Sequence, residues 1–456
     1  MKQTNSSRAG LFTYTLDEMK QIASDAVAYG RAVGAAGVAV DVLDGNGRDI
    51  TVRQGEMETI QSSHETTIRV SVYDGQRVGH ARTGDFSQEA IKKTISSAFD
   101  VARFVGEDRY SGLPDVEDLE MQPIDLDLLH IWDIPPSDAA ALARAAEDAA
   151  FRAAPSVCNV KGSYVRSSQF QRVFATSNGF LNGFGKSVHS LSCAPIAGAG
   201  DDMQGGSWAT YSVDAHLLES AEVVGALAGR RAASHVGARK LATCRVPVLF
   251  ESTQAVGLLQ AFVQATSGVP LYRRATFLAD SLGTSVFANH VQITEDPHLR
   301  GGLGSAPFDS EGVRTRRRTV VGDGVVREYF LSSYSARKLG MRTTGSADGA
   351  HNLSLSSSLT GPGDDLEGML RRLGTGVFVT DMMGQGINIV TGGYSRGASG
   401  FWVENGVIQY PVHEITVAGT LQDMFKSLVA IGNDVYRSGS MMCGSLLIEG
   451  LTVAGS

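Results

Sequence analysis

Residues 400–411 read GFWVENGVIQYP: an apolar run, the pair Asn405-Gly406, then a second apolar run. Asn-Gly accepts the positive φ of a tight two-residue turn, so the flanking runs predict the two antiparallel strands of a hairpin. Asp323-Gly324 sits in the same way between RTVV and VVREYF. Both pairs fall in the half of the chain that begins near Arg245. That half ends on CGSLLIEGLTVAG (443–455), one or two further apolar strands. Leu421, Met424, Phe425 and Leu428 recur at helical spacing and predict one late amphipathic helix. The second half therefore reads as a domain rich in antiparallel strands.

The first half mixes helices with hairpins. Residues 15–33 read as a helix and AGVAVDVL (36–43) as a buried strand. Ile68, Val70 and Val72 alternate with polar neighbours, the period of a strand with one wet face, before Asp74-Gly75 turns the chain. Ser87 is placed to cap a helix carrying Ile91, Ile95, Ala98, Phe99 and Ala102 on one side. The acidic, proline-marked segment 112–136 reads as a connection, and Ser137 opens an alanine-rich helix to about Ala154. Strands flank Asn178-Gly179, and a helix near 216–235 ends this half. The order predicts an α+β fold: an α/β amino-terminal domain over 1–240 and a β-rich carboxy-terminal domain over 241–456.

Composition narrows the function. The 456 residues are 43% hydrophobic and 19% charged, with 53 glycines and a formal charge of −8. A surface for nucleic acid needs clustered Lys and Arg, so direct binding to DNA is not expected. Cys158, Cys193, Cys244 and Cys443 are widely spaced and form no CxxC pair, which suits reduced thiols. The opening MKQTNSSRAG lacks the apolar core of a secretory signal, and no stretch approaches the ~18–20 apolar residues of a membrane span. The expectation is a cytoplasmic protein.

Short matches to catalytic signatures fail on context. GYSRG (393–397) fits Gly-x-Ser-x-Gly, but a nucleophile elbow needs a strand, a turn and then a helix, and strand-like sequence lies on both sides. Ser335 and Lys338 fit Ser-x-x-Lys without its companion motifs. GFGKS (183–187) has Phe180 where a P-loop needs its first glycine. His64-Glu65 and His413-Glu414 have no second histidine at metal-binding spacing. His290, Asp296 and His298 read as a solvated loop. The basic run RTRRR (314–318) reads as a charged strand edge, with a grip on a peptide carboxylate as the alternative.

Long blocks carry a more specific message. YRRATFLADSLGTSVF (272–287), EDPHLRGGLGSAPFDSEGVRTRRRTVVGDGV (295–325), YFLSSYSARKLGMRTTGSADGAHNLSL (329–355) and DMMGQGINIVTGGYSRGASGFWVENGVIQYPVHEITVAG (381–419) resemble the TldD/PmbA family. So do CGSLLIEGLTVAG and, in the first half, SSHETTIRVSVYDGQRVGHARTGDFS (62–87). The similarity is to the PmbA (TldE) branch, also labelled modulator of DNA gyrase. It implies two related subunits forming a heterodimeric zinc peptidase. The TldD-type subunit carries His-Glu-x-x-x-His on a helix and a later cysteine.

On that resemblance, the segment LLQAFVQA (258–265) stands where the sister subunit has its metal helix, and Gln260, Ala261 and Ala265 stand at the His, Glu and His positions. Glutamine and alanine replace neither a zinc-binding imidazole nor a base. No ligand lies elsewhere on the segment, and Cys443 reads as a buried or partner-facing thiol. The resemblance implies a non-catalytic subunit that completes the peptide cavity of a TldD-like partner, with no cofactor of its own and zinc in the partner. A homodimer is the expected alternative when the partner is absent. Arg337, His351 and Asn352 are the candidate cavity-lining residues. Two rival readings are a stand-alone hydrolase using Ser335 or Ser395 and a regulatory binding protein.

Overall fold

Alternating valines and isoleucines build the first sheet, because a strand turns successive side chains to opposite faces. Val38, Val40, Val42, Ile50 and Val52 share one face of strand Gly37–Arg53 and are all buried. This strand lies between Glu56–Asp74 and Val157–Thr176 in a seven-stranded antiparallel sheet. Arg77–Thr83 forms one edge; Leu181–Ala197 and the short strands Gln204–Gly205 and Trp208–Ser212 complete the other side. A computed structural model describes residues 11–455, and MKQTNSSRAG, read above for a secretory signal, lies outside the described residues.

Four helices cover the valine face. Leu16–Ala32, held by a capping box of Thr15 and Glu18, and Gln88–Phe104, capped by Ser87, enclose Val38, Val40, Ile68 and Val70. Pro136–Ala153 and Ala221–Ser234 enclose Ile50, Val52, Val165 and Leu191. These last two helices pack backbone to backbone, since a Cβ on Gly225 would stand 1.9 Å from the Ala146 carbonyl oxygen. The alanine-rich helix begins at Pro136 rather than Ser137, because proline at the first helical position presets φ. The helix expected near 216 begins at Ala221, where the Ser220 hydroxyl accepts from Val223 N, and residues 215–217 form a separate turn.

The second half holds two sheets with one apolar core between them. In the first, the order is Val325–Val326, Arg318–Gly322, Val291–Glu295, Leu353–Ser357, Met441–Cys443 and Tyr436–Ser438. In the second, Gly376–Met383, Cys244–Phe250, Leu446–Ala454, Val407–Thr420 and Gly393–Glu404 pair in turn, and the last pairs back to the first. That closure makes a five-stranded barrel and protects its edges. Both turns expected from sequence are present, with Asn405 and Gly406 at φ 50° and 76° and Asp323 and Gly324 at 52° and 73°. The VVREYF strand stops at Val326, because the chain leaves the sheet and Phe330 N donates to the Thr266 carbonyl at the end of a buried helix. The chain is α+β.

Candidate functional site

That buried helix, Ser252–Ala265, follows the barrel strand Cys244–Phe250 directly. Ala255, Val256, Leu258, Leu259, Ala261, Phe262, Val263 and Ala265 face the core, and Phe262 meets Phe287 and Phe425 edge-on. Ser252 is also buried; the remaining positions, half-buried Thr253, Gln254 and Gly257 and exposed Gln260 and Gln264, form the helix's outward side. Gln260 is exposed, whereas Ala261 and Ala265 are 2% and 0% exposed. The outward side therefore offers amides, a hydroxyl and a glycine, and no imidazole, carboxylate or thiol.

Gln254 reaches a cleft of about 630 Å³ between the first sheet and the barrel. Lys161, Arg231, His235, Asp381 and Glu414 also line it. At the helix start the Glu251 carboxylate accepts two bonds from Arg231, both 2.6 Å, and one from the Thr253 hydroxyl at 2.5 Å. Arg231 also donates to the Thr380 carbonyl at 3.2 Å. Burial opposes its charge, but Glu251 outweighs burial and raises the guanidinium's pKa further. His235 packs against Phe401 with the rings tilted by 31° and lies 3.1 Å from the Thr380 hydroxyl. Burial first, then Arg231, pushes its pKa below the ordinary histidine value. Among the described residues, no group of three His, Cys, Asp or Glu side chains is placed to hold a metal ion. Cys443 is fully buried in the core, its thiol donating to the Gly444 carbonyl at 3.0 Å, and burial pushes its pKa far up. A thiol kept protonated in this way is a poor metal ligand.

The other sequence candidates lie apart. Arg337 donates to the carbonyls of Gly112 and Leu113 at 3.1 and 2.5 Å and pairs with Asp115 at 3.3 Å. It joins the two halves of the chain. His351 and Asn352 come together beside a second cleft. Asn352, at φ 44°, donates to the Asp296 carbonyl and the Ser305 hydroxyl and accepts from Gly304 N. His351 lies between Glu295 and Asp348. Ser335 is buried as the inner member of the capping box that Ser332 makes at the start of helix Ser333–Leu339, while Lys338 pairs instead with Asp108 at 3.4 Å. Ser395 lies within strand Gly393–Glu404, with no helix after it. His298 N donates to Asp296 Oδ1 at 3.0 Å, but the His298 ring turns to the Thr315 hydroxyl and the His290 ring to the Ser357 hydroxyl and the Leu428 carbonyl, so the three side chains do not converge. In the basic run, Arg314, Arg316, Arg317 and Arg318 each face a carboxylate of the chain itself, and only Arg318 belongs to a strand.

The sequence reading missed the Arg231–Glu251 pair, His235 and Asp381. Arg231 and His235 stand four apart at a helix end, a legible spacing. Their partners lie 20 and about 150 positions away, and no local pattern joins them.

Three family models match successive parts of the chain: PmbA/TldA metallopeptidase domain 1 over residues 38–102, the central domain over 129–236 and the C-terminal domain over 243–455. The metalloprotease PmbA of Escherichia coli O157:H7 is 42% identical over 419 residues, 92% of each chain. Among solved structures, a candidate modulator of DNA gyrase from Bacteroides thetaiotaomicron superposes with a TM-score of 0.90 at 26% identity, over 96% of this chain and 99% of that one. TldE from Thermococcus kodakarensis gives 0.82 at 17% identity, over 95% and 100%, a likeness of fold alone. By fold, by sequence and by all three matched segments, the chain belongs to the PmbA/TldD metallopeptidase family.

Proposed function

We propose that this chain is the non-catalytic subunit of a two-subunit zinc peptidase that acts on unfolded peptides or peptide precursors. The supporting observation is the helix Ser252–Ala265, whose outward side carries Thr253, Gln254, Gly257, Gln260 and Gln264. The metal implied by the family does not fit this donor set, because zinc is held by imidazole, thiolate or carboxylate. No step of the reaction is therefore assigned to a metal in this chain. Its part is to complete the cavity of a TldD-like partner that holds the zinc and the general base. A pair of identical copies is the alternative assembly when the partner is missing. The setting is the cytoplasm, with no membrane and no nucleic acid bound. No described helix is long and apolar enough to cross a bilayer.

The test is hydrolysis of an unstructured peptide by the purified chain, alone and mixed with a TldD-like partner, with and without a zinc chelator. The expected result is cleavage in the mixture alone, abolished by the chelator. Cleavage by this chain alone would overturn the reading.

A further inference from the structure

The face of the amino-terminal sheet opposite the four helices forms one wall of a second cleft, of about 540 Å³. Asp41, Arg69, Arg172 and Lys186 project from four neighbouring strands; Ser305, Asp348 and His351 approach from the second half. The charges are unequal. Asp41 takes Arg172 at 2.6 Å and Arg69 at 3.5 Å, and Asp348 stands 3.4 Å from His351 Nε2. Arg172 also donates to the Ser310 carbonyl at 3.4 Å. Glu295, behind His351, is already paired with Arg318.

Lys186 has no such partner. Its ammonium donates to the Ser305 carbonyl at 3.1 Å, and among the described residues no carboxylate reaches ion-pairing distance. A partly buried cation without a counter-ion is costly to the folded chain, and a bound anion would offset that cost. Burial pushes the Lys186 amine below the ordinary lysine range, with Asp348 opposing, which is the signature of that cost. Arg69 is 54% exposed and keeps free donors in the planar fork that suits a carboxylate. Asp41 and Asp348 on the same walls disfavour a dianion such as phosphate, so the balance suits a single negative charge.

We propose that this cleft binds a peptide carboxylate, through Lys186 and Arg69, and so selects which end or side chain of a peptide enters the assembly. The choice of peptide as ligand rests on the function proposed above; the carboxylate site rests on the geometry.

The experiment is fluorescence anisotropy on the purified chain with three unstructured peptides carrying a neutral fluorophore at the amino end. One ends in a free carboxylate, one is its amide, and one is the amide with a single internal glutamate. The expected result is that a carboxylate-bearing peptide binds about tenfold more tightly than the plain amide, the scale of one charge-assisted hydrogen bond. Lys186→Gln removes this preference, Lys186→Arg keeps it and Arg69→Gln weakens it. Preference for the free end alone assigns the site to the C-terminus, and equal binding of the glutamate peptide extends it to side chains. Equal affinity for all three peptides, an unchanged preference in Lys186→Gln with a native melting curve, or displacement by inorganic phosphate in preference to acetate would overturn it. Neither partner nor cleavage enters the measurement, so failure here leaves the hydrolysis test standing, and failure there leaves this one.

Discussion

His351 is a buried imidazole held between two acids, with Glu295 Oε1 3.7 Å from Nδ1 and Asp348 Oδ1 3.4 Å from Nε2. Burial alone would expel its proton. Asp348 and Glu295 outweigh burial and raise its pKa from 6.5 to about 9. A group whose folded pKa is raised stabilises fully below its unfolded value and loses that contribution as pH rises through the folded one. The contribution is thus complete below pH 6.5 and gone above about 9. A rise of this size corresponds to roughly 3 kcal/mol. His351→Gln is expected to lower the melting temperature at pH 6, and the gap to the parent chain should close as pH approaches 10. Melting curves at pH 6, 8 and 10 check this, and parallel pH dependences would refute the charged pair. At acid pH the gap also narrows, because His351 helps to hold both carboxylates below their ordinary values and that support is lost as they protonate.

At the scale of the element, the helix Ser252–Ala265 has two chemically different sides, and this makes its reading testable. Gln260 is exposed; Ala265 is packed in the core between the two sheets. Gln260→His is expected to change stability by less than about 0.5 kcal/mol, as surface changes do. Ala265→His forces a large polar ring into a closed space and is expected to cost about 3 kcal/mol or more by overpacking and loss of hydrogen bonds. Urea unfolding of both variants checks the contrast, and a tolerated Ala265→His would mean that the helix turns a different side to the core. The same helix shows what the sequence conveyed. Its apolar content made burial legible, and the Asn405-Gly406 and Asp323-Gly324 hairpins were legible because positive φ has few residue solutions. Closure of the barrel was not legible. It depends on Gly376–Met383 meeting both Cys244–Phe250, over a hundred positions away, and Gly393–Glu404, and no periodicity records such pairing.

For the whole molecule, the question is what holds the halves together, and the candidate residues read from sequence answer it in part. Arg337 is a candidate cavity-lining residue by sequence, but sequence does not say where a guanidinium will find acceptors; here they are carbonyls more than two hundred positions earlier. On the short helix Ser333–Leu339, Tyr334, Arg337 and Lys338 lie at i, i+3 and i+4 and share one side. That side grips the segment that follows helix Gln88–Phe104 within the first half. The Tyr334 hydroxyl donates to Asp108 at 2.6 Å, Lys338 pairs with the same carboxylate, and Arg337 closes on Gly112, Leu113 and Asp115. Hydrogen bonds from a charged donor contribute about 1.5–3 kcal/mol each, and the freed carbonyls would turn to water. Arg337→Ala is therefore expected to release the 112–136 connection without unfolding either half. Limited proteolysis should cut this connection several-fold faster in the variant, with fragment masses locating the cut. Circular dichroism should be unchanged, because the sheet and helix hydrogen bonds on both sides stay in place. Equal cutting rates would refute this role for Arg337 and leave the connection to the contacts that remain: Tyr334 and Lys338 on Asp108, and Phe308 packed edge-on against Phe180 and Phe184.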